Sequence, residues 1–550
     1  MKNIMFRDTP IPKPRTGAFD MSHEHKFTTN IGYLVPFMWY ETLPGDRWRG
    51  RTELLAKTSP MLAPLLHRLD IYTHFYYVPN RLLMNPFSNS QAGWKAFITG
   101  DKDTLYGAEE LPYVTIDNTT KSYFGEWMLN TYLGLPVIAG STTVTQTVDI
   151  NVLPHFAYHL IYDMEYRDEN LITRVTSDTQ VPGIPVTLIG GDRNSDISSI
   201  CRQVLYTRSM EKDYFRGALP AAYSGSADSV ELDLDLYGNF YLSTAIGSTT
   251  AVASAAIGGA GTKQIVDDIG GTPGNTYFVP HSRDDGSGSA ILVNEDLRRM
   301  QAVTRWLEAE NRGGTRYNEM LMGVHGVYSD NMETDYPVYL GGGKQPVNIQ
   351  SIMAQTETLD PAAGTPTTVN PQGLETGRGW SSSRGGHSWK LHAKEHGIIM
   401  GIFSILPRAG YSGACIDKFW TYADREDFAV PQLQHIGDQA ILQKEIGYDA
   451  TGTDMDNVFG YAPRNAHLKG KRSMVSGDFL STFDEWHMDQ IGDTSGPGPD
   501  LNAAFIEARQ NNVEFLRPFA NQTVSDARWF IESYNDVQAI RQLVVHDIPK

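Results

Sequence analysis

Residues 392–407, HAKEHGIIMGIFSILP, force a choice between two folds. As a helix, the H-x-x-E-H at its start places His392 and His396 as zinc ligands, with Glu395 as the catalytic base of a hydrolase. As a strand, the same stretch is architecture. Gly385-Gly386 and Gly397 bracket the motif closely and leave little room for a helix. The run from Ile398 to Leu406 is apolar and stops at Pro407, which reads as a buried strand too short to cross a bilayer. The strand reading prevails, and a metal-dependent hydrolase becomes the alternative.

Working outward, Phe27–Tyr40 and Ile71–Val78 are aromatic and β-branched runs closed by turn signals at Pro44-Gly45-Asp46 and Pro79-Asn80. Val230–Leu236 alternates apolar and acidic residues, predicting a strand with one acidic face, and Arg528–Val537 is the last strand candidate. Helices are few. One follows Leu153-Pro154, with Phe156, Leu160, Ile161 and Met164 at helical spacing. Another starts at the Asn294 cap, carries Leu297, Met300, Val303 or Thr304, and Leu307 on one face, and stops at Gly313-Gly314. The segment YLGGGK at 339–344 is not a phosphate loop, since Val338 and Gln345 stand where Walker A needs Gly and Ser or Thr; it reads as a structural turn. Many strands with long polar connections, notably Thr356–Gly386, favour a β-sandwich over a parallel α/β sheet.

Composition bounds the function. The chain has 550 residues, 41% of them hydrophobic, and a formal charge of −18 from 46 basic and 64 acidic residues. That is ample for a large core, and it repels nucleic acid overall, so any contact with DNA is local. Two cysteines, Cys201 and Cys415, supply neither a disulfide framework nor a four-cysteine metal site. No signal peptide is expected at the N-terminus. Residues 1–17 instead read as an extended basic arm, with Lys2, Arg7, Lys13 and Arg15 against Asp8 giving a side-chain charge of +3. Those four residues are the candidate DNA contacts. From about 225 to 292 the sequence turns to Gly, Ala, Ser and Thr, the composition of a variable surface excursion.

Other constellations are read as structural. His155, His159 and Asp163 share a helical face and are expected at the boundary of the core. His23 and His25 align on a strand without a further ligand. GYSGA from Gly410 misses the nucleophile elbow at Ala414. Each cysteine is expected to be a small buried side chain. No cofactor or metal site is expected.

The segments FDMSHEHKFTTNIGYLVPFMWYETLPGD, THFYYVPNRLL, LPHFAYHLIYDMEYRDENL, RSMEKDYFRGALP, RGGTRYNEMLMGVHGV, YLGGGKQPVNI, KEHGIIMGIFSILPR and VFGYAPRNAHLKGKRSMVSGDF occur in this order. In that series the chain resembles the major capsid proteins of the Microviridae, gokushovirus type. The resemblance implies a viral jelly roll, a β-sandwich of two antiparallel sheets with long inserted loops and a few helices. One domain at 18–550 would follow the arm, with 225–292 inserted as a threefold protrusion. It implies a non-enzymatic subunit of a T=1 icosahedral shell around a circular single-stranded DNA genome, in the virion and, during synthesis, the host cytoplasm. Its partners would be further copies of itself, the DNA, scaffolding, pilot and small basic DNA-associated proteins, and a bacterial surface receptor such as a glycan. A glycan-binding β-sandwich is the remaining alternative.

Overall fold

The computed structural model describes residues 16–83, 94–99, 111, 113–172, 205–222, 241–243, 277–279 and 294–544, with short breaks in the last range. The chain divides into two units, one formed by Met1–Ala222 with Gly313–Lys550 and the other by Tyr223–Arg312.

The first unit is built on nine strands: β1 His23–Thr29, β2 Val35–Thr42, β3 Arg47–Thr58, β4 Leu69–Pro79, β5 Val338–Pro346, β6 Glu375–Ser383, β7 Ser388–His392, β8 Gly397–Pro407 and β9 Trp529–Arg541. One sheet runs β1-β9-β3, after which β7 pairs with the first half of β3 and β6 with its second half. The other runs β2-β8-β4-β5. All these pairings are antiparallel. With β6 and β7 counted as one interrupted strand, the sheets interleave as two Greek keys, which is the jelly roll. The sandwich expected from sequence is therefore the observed fold.

Burial follows from which faces are covered. Every residue of β8 is buried, because the facing sheet covers one side and helix α1, Leu153–Ile161, packs on the other. That explains its nearly continuous apolar run, interrupted only by Ser404. In β3 and β9 burial alternates instead: Trp48, Thr52, Leu54 and Ala56 point inward, while Arg47, Arg49, Arg51 and Lys57 point out. Trp389 and Trp529 are the largest fully buried side chains between the sheets, with Trp389 lying 5.9 Å from Phe75.

Three sequence readings need correction. Phe27–Tyr40 is two strands, β1 and β2, in different sheets; the turn between them is anchored by Gly32 N–H on the Ile405 carbonyl at 3.0 Å and Arg208 N–H on the Gly32 carbonyl at 2.7 Å. The run looked continuous because both strands are rich in the same residue types. YLGGGK lies within β5 and is not a turn. Its Gly343 admits the buried His387, whose ring a Cβ there would strike. His387 bridges Thr73 Oγ1 at 2.5 Å and Gln345 Oε1 at 3.1 Å, and burial lowers its pKa. Thr356–Gly386 contains β6, whose inward residues are Gly377, Gly379 and Ser381, so the expected apolar alternation is missing.

The helical readings hold: α1 begins at Leu153-Pro154, and α2 spans Asn294–Gly313, with Gly314 following at φ +98°. A third helix, α3, covers Tyr317–His325. In the second unit the described residues also include a hairpin, Tyr241–Ser243 with Tyr277–Val279. Val230–Leu236 and most of the Gly/Ser/Thr-rich stretch lie outside the described residues.

A Cβ at Gly50 would overlap the Trp389 indole across the β3–β7 pair. Gly50→Val should destabilise the protein by about 1–3 kcal/mol, and adding Trp389→Leu should recover part of the loss. Chemical denaturation of the two variants checks both outcomes.

Candidate functional site: contact surfaces of the subunit

The H-x-x-E-H residues do not converge. His392 ends β7, exposed, opposite Arg47. Ala393 closes the turn by donating to the Asp46 carbonyl at 2.9 Å and accepting from Gly45 N–H at 2.8 Å. Glu395 accepts from Arg81 Nε at 2.9 Å, and its backbone carbonyl accepts from the Tyr77 hydroxyl at 2.9 Å. The His396 ring meets the edge of Trp94 at 5.5 Å. These are the fastenings of a strand-to-strand connection, and among the described residues no group of three His, Cys, Asp or Glu side chains could hold a metal ion.

His155, His159 and Asp163 are not boundary residues: they are 2%, 3% and 1% exposed. Each has a specific partner. His155 Nε2 meets Asn130 Oδ1 at 2.5 Å, His159 Nδ1 meets the Tyr206 hydroxyl at 2.7 Å, and Asp163 accepts from Arg167 Nε at 2.6 Å. The Asn130 amide donates to the Tyr123 carbonyl at 2.7 Å, so its Oδ1 is an acceptor and His155 carries its proton on Nε2. Burial, helped by nearby His159, pushes the His155 pKa down to about 3. His23 and His25 face the second sheet. His23 Nδ1 meets the Tyr40 hydroxyl and His25 Nδ1 the Phe37 carbonyl, each at 2.8 Å.

Ser412, in the GYSGA stretch, accepts from Val475 N–H at 2.7 Å. Cys415 is a free thiol donating to the Ile446 carbonyl at 3.1 Å, with its pKa raised by burial. Cys201 and the candidate DNA contacts Lys2, Arg7, Lys13 and Arg15 lie outside the described residues.

The long excursion between β8 and β9 forms a small second core, in which Tyr411, Ile441, Phe459 and Phe505 pack with Phe215 from the connection between β4 and β5. Its outside is markedly apolar: Phe419, Trp420, Phe428 and Ile436 are 58%, 78%, 58% and 63% exposed. Large apolar side chains clustered on a loop mark a surface that association covers. Sequence reasoning passed over them, although Phe-Trp inside the polar run DKFWTYADREDF was the available signal.

A subunit that couples a jelly roll to broad apolar loops, without a converging catalytic group among the described residues, has the anatomy of a shell component. The profile of the capsid protein (F protein) family matches residues 12–550. The chain belongs to this family. Capsid protein VP1 of Chlamydia phage 1 is 28% identical over 617 residues, covering 100% of this chain and 98% of the relative. Capsid protein VP1 of Bdellovibrio phage phiMH2K is 27% identical, covering 99% of this chain and 97% of the relative. Capsid protein VP1 of Spiroplasma virus 4 is 22% identical over 93% of this chain and 90% of the relative. The resemblance to Microviridae capsid proteins of the gokushovirus type therefore stands, and the zinc-hydrolase and glycan-binding alternatives are not favoured.

Two outcomes follow for this capsid protein. His155 is neutral when folded but titrates near about 6.5 in the unfolded chain. Between that value and about 3 only the unfolded chain binds the proton, so stability should fall as pH drops through this window, by up to about 1.4 kcal/mol per pH unit. His74, pushed down to about 4 by burial and by nearby Arg208, acts in the same direction. Urea midpoints from pH 7 to pH 4 should decline less steeply in His155→Gln; equal slopes would exclude His155 as a source. Glu395→Gln should change stability by less than about 1 kcal/mol, because its partner Arg81 is held in a part-exposed ion pair. Zinc content should be at background in wild type and variant alike, and stoichiometric zinc lost with the variant would overturn the structural role.

Proposed function

We propose that this capsid protein assembles with further copies of itself into a closed T=1 icosahedral shell around a circular single-stranded DNA genome. The observation that carries the reading is the jelly roll spanned by a capsid-family match from residue 12 to residue 550. Closed point-group symmetry requires each subunit to present several distinct contact surfaces, and the apolar loops between β8 and β9 suit that need. The protein acts by repeated contact and turns over no substrate.

A formal charge of −18 opposes packaging of a polyanion. The genome is therefore held by a few local cationic or aromatic sites, including the arm residues Lys2, Arg7, Lys13 and Arg15, together with a small basic DNA-associated protein. Scaffolding and pilot proteins are further partners. The subunit is made in the host cytoplasm and ends in the virion. Residues 225–292 form a variable surface insertion in the single domain 18–550 and meet the bacterial receptor, for which a glycan is a fitting chemistry.

Electron microscopy of the expressed protein, alone and with its scaffolding partner, tests the reading. Closed particles of uniform size are expected; a subunit that forms no particle under either condition would overturn it. Replacing residues 245–290 with a short Gly/Ser linker should leave the protein folded and soluble while weakening attachment to host cells or the threefold contacts. An unfolded, aggregated product from a linker of adequate span would contradict the separability of the insertion.

A further inference from the structure

The outward face of the β1-β9-β3 sheet carries a cationic grid at one end. Arg47, Arg49 and Arg51 project to the outside from alternate positions of β3, about 6.6 Å apart along the strand. On β7, His392 lies opposite Arg47, Lys390 opposite Arg49 and Ser388 opposite Arg51, and all three are exposed. On β9 the corresponding partners are Ile540, Gln538 and Asp536. Acids temper the grid: Glu53, paired with Arg51 at 3.2 Å, Asp536, and beyond β9 the exposed Asp20, opposite Gln538. Arg47, Arg49 and Lys390 form no ion pair with a described residue. Tyr534, 42% exposed and opposite Glu53, continues the face along β9 as an aromatic platform.

We infer that this face, centred on Arg47, Arg49 and Lys390 with His392 at its edge, binds the phosphate backbone of single-stranded DNA; the inference rests on, and deepens, the capsid reading. Three observations choose the occupant. Cations in rows, with the exposed Tyr534 further along the same face, on a chain that is otherwise strongly acidic, complement a polyanion with bases to stack. The chain segment nearest to hand is not complementary: Gly17–Asp20 joins this sheet on β9, Gly17 opposite Arg541, and the residues before it carry Lys2, Arg7, Lys13 and Arg15. A second copy of the same face, brought up about a twofold axis, would set arginine against arginine. The sites are also well anchored, since the arginines are borne by β3, which is paired on both sides, and Lys390 by β7, which is paired to β3. His392, singled out by the H-x-x-E-H spacing, thus has a place on this face.

The test uses the full-length subunit and a fluorescent oligothymidylate, with affinity measured across a salt series. Each phosphate contact contributes about 0.7 to the log–log salt slope for a single strand, so Arg47→Gln/Arg49→Gln/Lys390→Gln should lower the slope by about 2. Lys26→Gln/Lys57→Gln, at the other end of the same face, should leave it unchanged. Thermal melting guards against misfolding, which these exposed positions should not cause. An unchanged slope in a folded triple variant would overturn the inference. So would a triple variant that keeps the wild-type slope but loses self-association in sedimentation, because the face would then be a contact with an acidic surface of another copy. Wild-type particles with an unchanged slope in the variant would sink this inference alone. Absent particles with a lowered slope would sink the capsid reading and leave the DNA face standing.

Discussion

The burial of β8 between the facing sheet and α1 is the constraint on which the rest of the molecule depends. A strand covered on both faces admits a polar side chain only where it is partnered, as Ser404 is by Arg208 at 2.9 Å, and its neighbours β2 and β4 must present largely apolar faces to match. It also settles the chemistry nearby. Because β8 starts at Gly397, the residues before it are spent on a connection, and their side chains are bound to Arg81 and Trp94. A helix carrying two zinc ligands has no place there.

Polar groups inside this core are tolerated because they are linked. His387 touches Thr73 and Gln345, Gln345 donates to Ser381 at 2.6 Å, and Ser381 donates to the Pro346 carbonyl at 2.8 Å. The chain joins β4, β5 and β6, elements of both sheets, and a half-broken version of it would leave buried donors without acceptors. Gly343 of β5 leaves the space this histidine fills. Seen this way, YLGGGK is a packing solution that resembles a nucleotide motif only in spelling.

What was legible in the sequence divides along physical lines. β4, β8 and β9 announced themselves because their side chains carry burial directly, and α1 and α2 because proline, cap and glycine signals bound an apolar stripe. β6 was hidden, since a strand whose inner face is Gly, Gly and Ser has no hydrophobic period to read. The sheet switch between β1 and β2 was hidden too, because a change of sheet alters partners without altering composition. The buried state of His155 and His159 depends on Asn130 and Tyr206, distant in sequence, and no local pattern encodes that. The cationic face was legible in principle: R-W-R-G-R alternates with period two. Its meaning appeared only once β7 was seen beside it.

The position of β9 has a consequence in time. It lies between β1 and β3, paired along most of β3, yet it is encoded far downstream of both. Until it emerges from the ribosome, β1 and β3 lack the strand that joins them, and the first sheet remains two fragments. Such distant pairing is slow to form. A nascent subunit therefore stays short of its final shape until β9 has been made, and copies growing side by side on one message have no finished first sheet with which to stick to each other.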